Sequence, residues 1–264
     1  MGYGAIRIQL SSNICSHLSQ GRASVASQAR PTLRGMCGRF TNTMGPAEVG
    51  KRFGVPITSD TGTRRYNIAP LDPVLTLVSE DGTPAPRIMR WGLLPAWAIG
   101  KNLSYELINA RLEGLRDTGK YAGIAPEIEH RALMPATGYF EWKHFEDSQM
   151  RPLPYYYHLE GEEPFAFPAI CTEATVNGVK IQSASLLTCS AQANEIAAAV
   201  HHRMPVLLTH KQAQQAWLDP TLSGREALAV CEPLPDGRLR VQAANPAINK
   251  PGATTERPEL LAAP

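Results

Sequence analysis

The chain has 264 residues, 43% hydrophobic and 19% charged, with 26 Lys and Arg against 24 Asp and Glu for a formal net charge of +2. That is an ordinary globular composition, long enough for one large domain or two small ones. The weak positive balance permits an acidic partner such as nucleic acid but does not point to one, so any such site must be local. Cysteines at 15, 37, 171, 189 and 231 form no C-x-x-C pair, which argues against a structural zinc or a disulfide framework and fits a reducing compartment. No apolar run approaches the roughly 18 residues of a spanning helix, so no membrane association is expected.

Residues 1–36 contain Arg7, Arg22, Arg30 and Arg34 but no Asp or Glu, and are rich in Ser and Gln. They are expected to be a leader of transit-like composition, a stretch upstream of a true start at Met36, or a disordered tail. Position 6 is Ile, so the myristoylation pattern that Met1-Gly2 invites is absent.

Met36-Cys37-Gly38-Arg39-Phe40 follows. Removing everything before Cys37 would leave one residue carrying both a thiol and a free α-amine. The amine titrates near ~8 and the thiol near ~8.5, so aldehydes are natural targets: the amine gives an imine and the sulfur closes a five-membered thiazolidine. Taken alone, Cys37 is better read as a small buried hydrophobe.

Helices are expected at Pro46–Phe53, Ala191–Val200 and His210–Leu218, and strands at Val74–Ser79, Arg87–Gly92, Ala132–Phe145, Tyr155–Leu159, Phe165–Cys171, Ser185–Thr188 and Pro205–Leu208. Without repeats or regular strand-helix alternation, an α+β single domain with much antiparallel sheet follows. The stretch from Asn245 to Pro264 has little apolar periodicity and is expected to wrap the domain or fray.

Between these elements lie polar constellations. Arg65-Tyr66-Asn67-Ile68-Ala69-Pro70 reads as a structured loop joining a cation, an aromatic ring and a rigid turn. Trp91-Gly92-Leu93-Leu94-Pro95-Ala96-Trp97 could offer indoles for base stacking or serve as a core lid. Asn109 and Arg111 stand among apolar neighbours, where they could orient a reacting group and grip a phosphate. In Gly138-Tyr139-Phe140-Glu141-Trp142 strand alternation puts Tyr139 and Glu141 on one face and Phe140 and Trp142 on the other; an apolar surround would raise the Glu141 pKa toward neutrality. His201-His202-Arg203 follows a helix, whose C-terminal dipole would favour a protonated histidine, and two adjacent histidines should point apart.

Together, Met36-Cys37-Gly38-Arg39-Phe40, Arg65 to Pro70, Trp91-Gly92, Ile108-Asn109-Ala110-Arg111, Gly138 to Trp142 and His201-His202-Arg203-Met204-Pro205-Val206 resemble, in order and spacing, the SRAP family of SOS response-associated peptidases, or abasic-site processing proteins. The resemblance implies a central β-rich pseudo-barrel of largely antiparallel strands flanked by short helices, with residues 37–250 the catalytic and DNA-binding domain and residues 251–264 a tail. It implies covalent capture of abasic sites in single-stranded DNA, at replication forks or single-strand to double-strand junctions, by a monomer needing no metal or cofactor. It also implies autopeptidase and lyase activity.

By the same resemblance Cys37 is the nucleophile, Asn109 positions its backbone and amine, Glu141 handles protons, and His201 assists sugar ring opening. Gly38, Arg39, Asn67, Pro70, Trp91, Arg111 and Arg203 would contact DNA. The protein would sit in the cytoplasm or nucleoid of a bacterium, or in a eukaryotic organelle or nucleus, and not be secreted. Two departures stand out: the residues ahead of Cys37 block its amine, and Val241-Gln242-Ala243-Ala244-Asn245 differs from the usual tail. Rival readings are a noncovalent DNA binder and a glutamine amidotransferase of the N-terminal-nucleophile class.

Overall fold

The computed structural model describes residues 37–57, 64–100, 107–116, 127–145, 150–249 and 257–264; the leader and residues 251–256 of the tail lie outside the described residues. Two hairpins organise the core. Pro73–Glu80 (β3) and Thr83–Trp91 (β4) meet through Asp81-Gly82, and Phe165–Val176 (β9) and Val179–Ser190 (β10) through Asn177-Gly178. All four turn residues have positive φ, between 50° and 80°. That is the two-residue turn whose twist matches paired strands, and Asn-Gly or Asp-Gly adopts it at least cost.

Arg131–Ala136 (β6) pairs with β3 and β9, and β10 runs parallel to β4 at Ser183↔Arg90. Strands β4, β3, β6, β9 and β10 thereby close into a five-stranded barrel. Closure leaves these strands no free edge. Leu77, Phe167 and Leu186 on these strands are fully buried. Asn109–Arg111 (β5) and Arg203–Pro205 (β11) extend the pairing of β10 toward its C-terminal end.

A second sheet packs on this barrel. Its order is Leu239–Ala243 (β12), Leu153–Leu159 (β8), Gly138–Lys143 (β7), Arg39–Asn42 (β1) and Arg65–Ile68 (β2), with every pairing antiparallel. One face of β7 and β8 sends Tyr139 and Tyr157 into the main core. The other sends Phe140 and Tyr156 into a smaller cluster closed by Ile248 and Leu260. Leu260 is fully buried and its carbonyl accepts the Asn245 N–H, so the last described residues wrap this sheet.

Helix Pro46–Phe53 forms where proline opens it and Gly54, at φ 70°, ends it. The expected helix Ala191–Val200 is only Glu195–Ala198, because β10 continues to Ser190 and Asn194 caps the following turn through its side chain. The expected helix His210–Leu218 is Lys211–Trp217. The expected strand Ala132–Phe145 is two strands: at Thr137 the chain leaves the barrel for the second sheet, its N–H donating to Thr41 O and its hydroxyl meeting that of Thr41 at 3.0 Å. Both flanking strands are largely buried, so only Thr137-Gly138 marks the break.

Gly138 is required at the crossing, since a Cβ there would collide with the Tyr156 ring and hydroxyl, themselves held by Thr41. Gly138→Ala is expected to destabilise the fold by roughly 3 kcal/mol, read as a lower urea midpoint with unchanged slope.

Candidate active site

Strand β7 carries Glu141 and β1 follows Cys37, and their register sets Arg39 opposite Phe140. The Cys37 backbone N–H thus donates to Glu141 Oε2 at 2.8 Å, although 104 positions separate the two residues. Cys37 is fully buried and has φ 42°, a left-handed conformation that a side-chain-bearing residue seldom adopts. A non-glycine residue held there is a feature typical of functional sites.

Glu141 is 5% exposed. Burial raises its pKa to about 7, against the opposing pull of N–H donors from Cys37 and Trp142. A carboxyl poised there can both take and give a proton near neutrality. Burial, and then the Glu141 charge, push the Cys37 thiol well above its usual range. The Cys37 backbone nitrogen is thus held directly by the carboxyl, while burial keeps the neighbouring thiol protonated. Tyr139 and Glu141 do leave β7 on one face, with Phe140 and Trp142 on the other.

His201 is half-buried at the end of the single-turn helix. Its Nδ1 lies 3.1 Å from the Arg203 N–H and 3.2 Å from the Arg203 carbonyl, so the Arg203 backbone fixes the ring's orientation through that nitrogen. Its pKa is lowered, chiefly by burial and further by the charges of His202, His144 and Arg203. The expectation of a dipole-stabilised imidazolium is corrected: one helical turn carries little dipole, and desolvation beside other cations outweighs it. Nor do the adjacent histidines point apart, for their ring centroids are 4.3 Å from each other. His144, three residues beyond Glu141 on the same segment, is a neighbour that the motif did not reveal.

Asn109 lies on β5, paired with Leu186, and is part-buried. Arg111 on the same strand is exposed. Gly38, Arg39, Asn67 and Pro70 are buried, and Arg39 Nη1 donates to the Gly38 carbonyl at 2.7 Å. Trp91 is fully buried; its ring meets Phe40 edge-on at 5.0 Å and its N–H donates to Ile108 O. As folded here, neither Pro70 nor Trp91 offers a base a stacking face, and the more exposed indole of that segment is Trp97. Arg65 to Ile68, read as a loop, is strand β2; the arginine is held by Asp72, which also accepts the Ala69 N–H.

Arg203 makes a two-pronged pair with Glu113, at 3.2 and 2.8 Å, and also donates to Thr188 O. Among the described residues no cluster of three or more His, Cys, Asp or Glu is placed to hold a metal ion.

Comparison with known proteins places the chain among abasic site processing relatives. The chain is 31% identical to the abasic site processing protein YoaM of Bacillus subtilis over 70% of its length and 80% of that protein's. It is 27% identical to YoqW of the same organism over 86% of this chain and 99% of that one, and 28% identical to YedK of Escherichia coli over 73% and 83%. A protein of Bacteroides thetaiotaomicron shares the fold with a TM-score of 0.72 at 20% identity, covering 86% of this chain and 100% of that one. A phage-related protein of Bordetella bronchiseptica matches at 0.63 and 25%, covering 78% and 93%. The family model described as SOS response associated peptidase (SRAP) spans residues 36–251, from the buried cysteine through both sheets, and this chain belongs to that family.

Proposed function

We propose that this protein acts on abasic sites in DNA and captures their ring-opened aldehyde covalently, as a thiazolidine on Cys37 once the preceding residues have been removed. The observation that carries the reading is the 2.8 Å hydrogen bond from Cys37 N to Glu141, a carboxyl titrating at about 7. A free amine at that nitrogen would keep the same partner. Imine formation needs a base to accept the amine proton and an acid to release water, and one group titrating near neutrality serves both steps. The names of the curated relatives supply the substrate class.

On this reading the partner is single-stranded DNA, where an unstacked abasic sugar can reach a buried nucleophile, and the protein works as a monomer without cofactor. Asn109 positions the Cys37 amine, and His201, neutral at physiological pH, takes the proton of the sugar hydroxyl during ring opening. Cleavage of the Met36–Cys37 bond by the same site, and strand scission at the abasic sugar, belong to this proposal as well. The testing experiment is the intact mass of protein mixed with a single-stranded oligonucleotide bearing one abasic site. A gain of the oligonucleotide minus one water on a chain beginning at Cys37 supports the proposal; a chain beginning there with no gain refutes it.

Phosphate contact by Arg203 and Arg111 is likewise proposed. Because Glu113 occupies Arg203, Glu113→Gln should raise affinity for single-stranded DNA by about threefold and steepen its salt dependence, as measured by fluorescence anisotropy at several ionic strengths.

A further inference from the structure

Among the described residues, two interior hydroxyls on the face that carries Glu141 have no hydrogen-bond partner. Tyr139 and Tyr157 are directly opposite in the β7–β8 register, and their rings stack with centroids 4.9 Å apart and planes 9° apart. The residues are 2% and 1% exposed, and neither phenol oxygen has a hydrogen-bond partner among the described residues. An unpaired buried hydroxyl costs stability, and phenylalanine would fill the same space without that cost. Two such hydroxyls side by side therefore call for a functional explanation.

Their location supplies one. Tyr139 precedes Glu141 by two residues on a strand, so both side chains leave the same face, and Glu141 holds Cys37 N. Burial, and then the charges of Tyr157, Cys37, Glu141 and Cys189, push Tyr139 ionisation far above neutrality, and burial does the same for Tyr157. Both phenols thus stay protonated and remain hydrogen-bond donors at any physiological pH.

We propose that the Tyr139 and Tyr157 hydroxyls form a donor pair for the oxygen of the aldehyde that Cys37 captures, an inference that rests on the covalent reading above. The amine lone pair attacks the carbonyl carbon and the C=O π pair moves onto oxygen. That oxygen takes two protons in turn from Glu141, the first giving the carbinolamine hydroxyl and the second as it departs as water. The N–H protons pass to the Glu141 carboxylate, and the thiol adds across C=N with its proton going to nitrogen. Aldehyde and aminothiol give thiazolidine and one water. The phenols keep their protons and stabilise charge developing on the oxygen, the role of an oxyanion hole in an apolar wall.

The test uses chains beginning at Cys37 carrying Tyr139→Phe, Tyr157→Phe or both. Three quantities are measured: the single-turnover rate of adduct formation with an abasic oligonucleotide, affinity for the same strand bearing a tetrahydrofuran in place of the aldehyde sugar, and thermal midpoint. Each single variant should slow the adduct at least tenfold, and the double variant further, with tetrahydrofuran affinity unchanged and the midpoint equal or higher. Rates within twofold of the parent would overturn the donor pair while leaving the covalent reading standing. A slower rate matched by an equal loss of affinity or a lower midpoint would assign the phenols to packing and also overturn it. No adduct from the parent chain itself would refute the covalent reading and the donor pair together.

Discussion

Cys37→Ala, in a chain that begins at position 37, is expected to abolish the denaturant-resistant adduct, a loss of about a thousandfold or more, without abolishing imine formation. The α-amine survives the substitution and still faces Glu141. Only the sulfur that traps the imine as a ring is gone. Borohydride reduction should therefore rescue a covalent product in Cys37→Ala but not in a chain whose amine is acetylated. Both species are resolved on a denaturing gel. A stable adduct in the unreduced alanine variant would remove the thiol from the mechanism; rescue of the acetylated chain would remove the amine. The substitution also deletes one buried sulfur from a fully enclosed site, a cost of about 1 kcal/mol that leaves the domain folded.

Glu141→Gln should slow adduct formation by about a hundredfold, the usual share of a positioned acid-base group. It should also remove the limb of the pH-rate profile centred at about 7, where this carboxyl titrates. The amide oxygen can still accept the Cys37 N–H, so affinity for a strand bearing a tetrahydrofuran site should hardly change. The same substitution has a stability signature whose sign follows from the direction of the shift. Folding raises the Glu141 pKa from the ordinary 4.5 to about 7, so the folded state favours the protonated carboxyl. That contribution is fully present below the unfolded pKa and is lost as pH rises through the folded one. Between those values the parent should therefore lose on the order of 3 kcal/mol from this group, and Glu141→Gln should not. Urea midpoints compared at pH 5 and pH 8 decide it: a parent and variant that change in parallel would mean that Glu141 is not desolvated in the folded state.

Where local chemistry sets the backbone, the sequence was legible. Pro46 and Gly54 delimit a helix because one presets φ and the other accepts the left-handed conformation. Runs of β-branched, aromatic and aliphatic residues bounded by Pro, Asp or Gly mark β3 and β8. The interruption at Thr137 and the short strands β1 and β2 were not legible, since their hydrogen bonds are satisfied by segments distant in sequence. In the site, the grouping of Cys37 with an acid came through the family pattern, and the facing of Tyr139 and Glu141 came through strand alternation. The stacking of Tyr139 on Tyr157, the hold of Glu113 on Arg203, and the approach of His144 to His201 left no local mark.

The sequence by itself determined a mixed α+β domain, an aminothiol precursor at Cys37, and the order of the motifs that place the chain in its family, because these depend on residue identity and spacing. Tertiary structure alone decided which of those residues are enclosed. Packing of Phe40 from the second sheet encloses Trp91, the pairing of β1 with β7 sets Glu141 on the Cys37 nitrogen, and burial moves the carboxyl to about 7. Desolvation is a property of everything packed around a group, so the proton affinity on which this chemistry turns cannot be written into any single stretch of the chain.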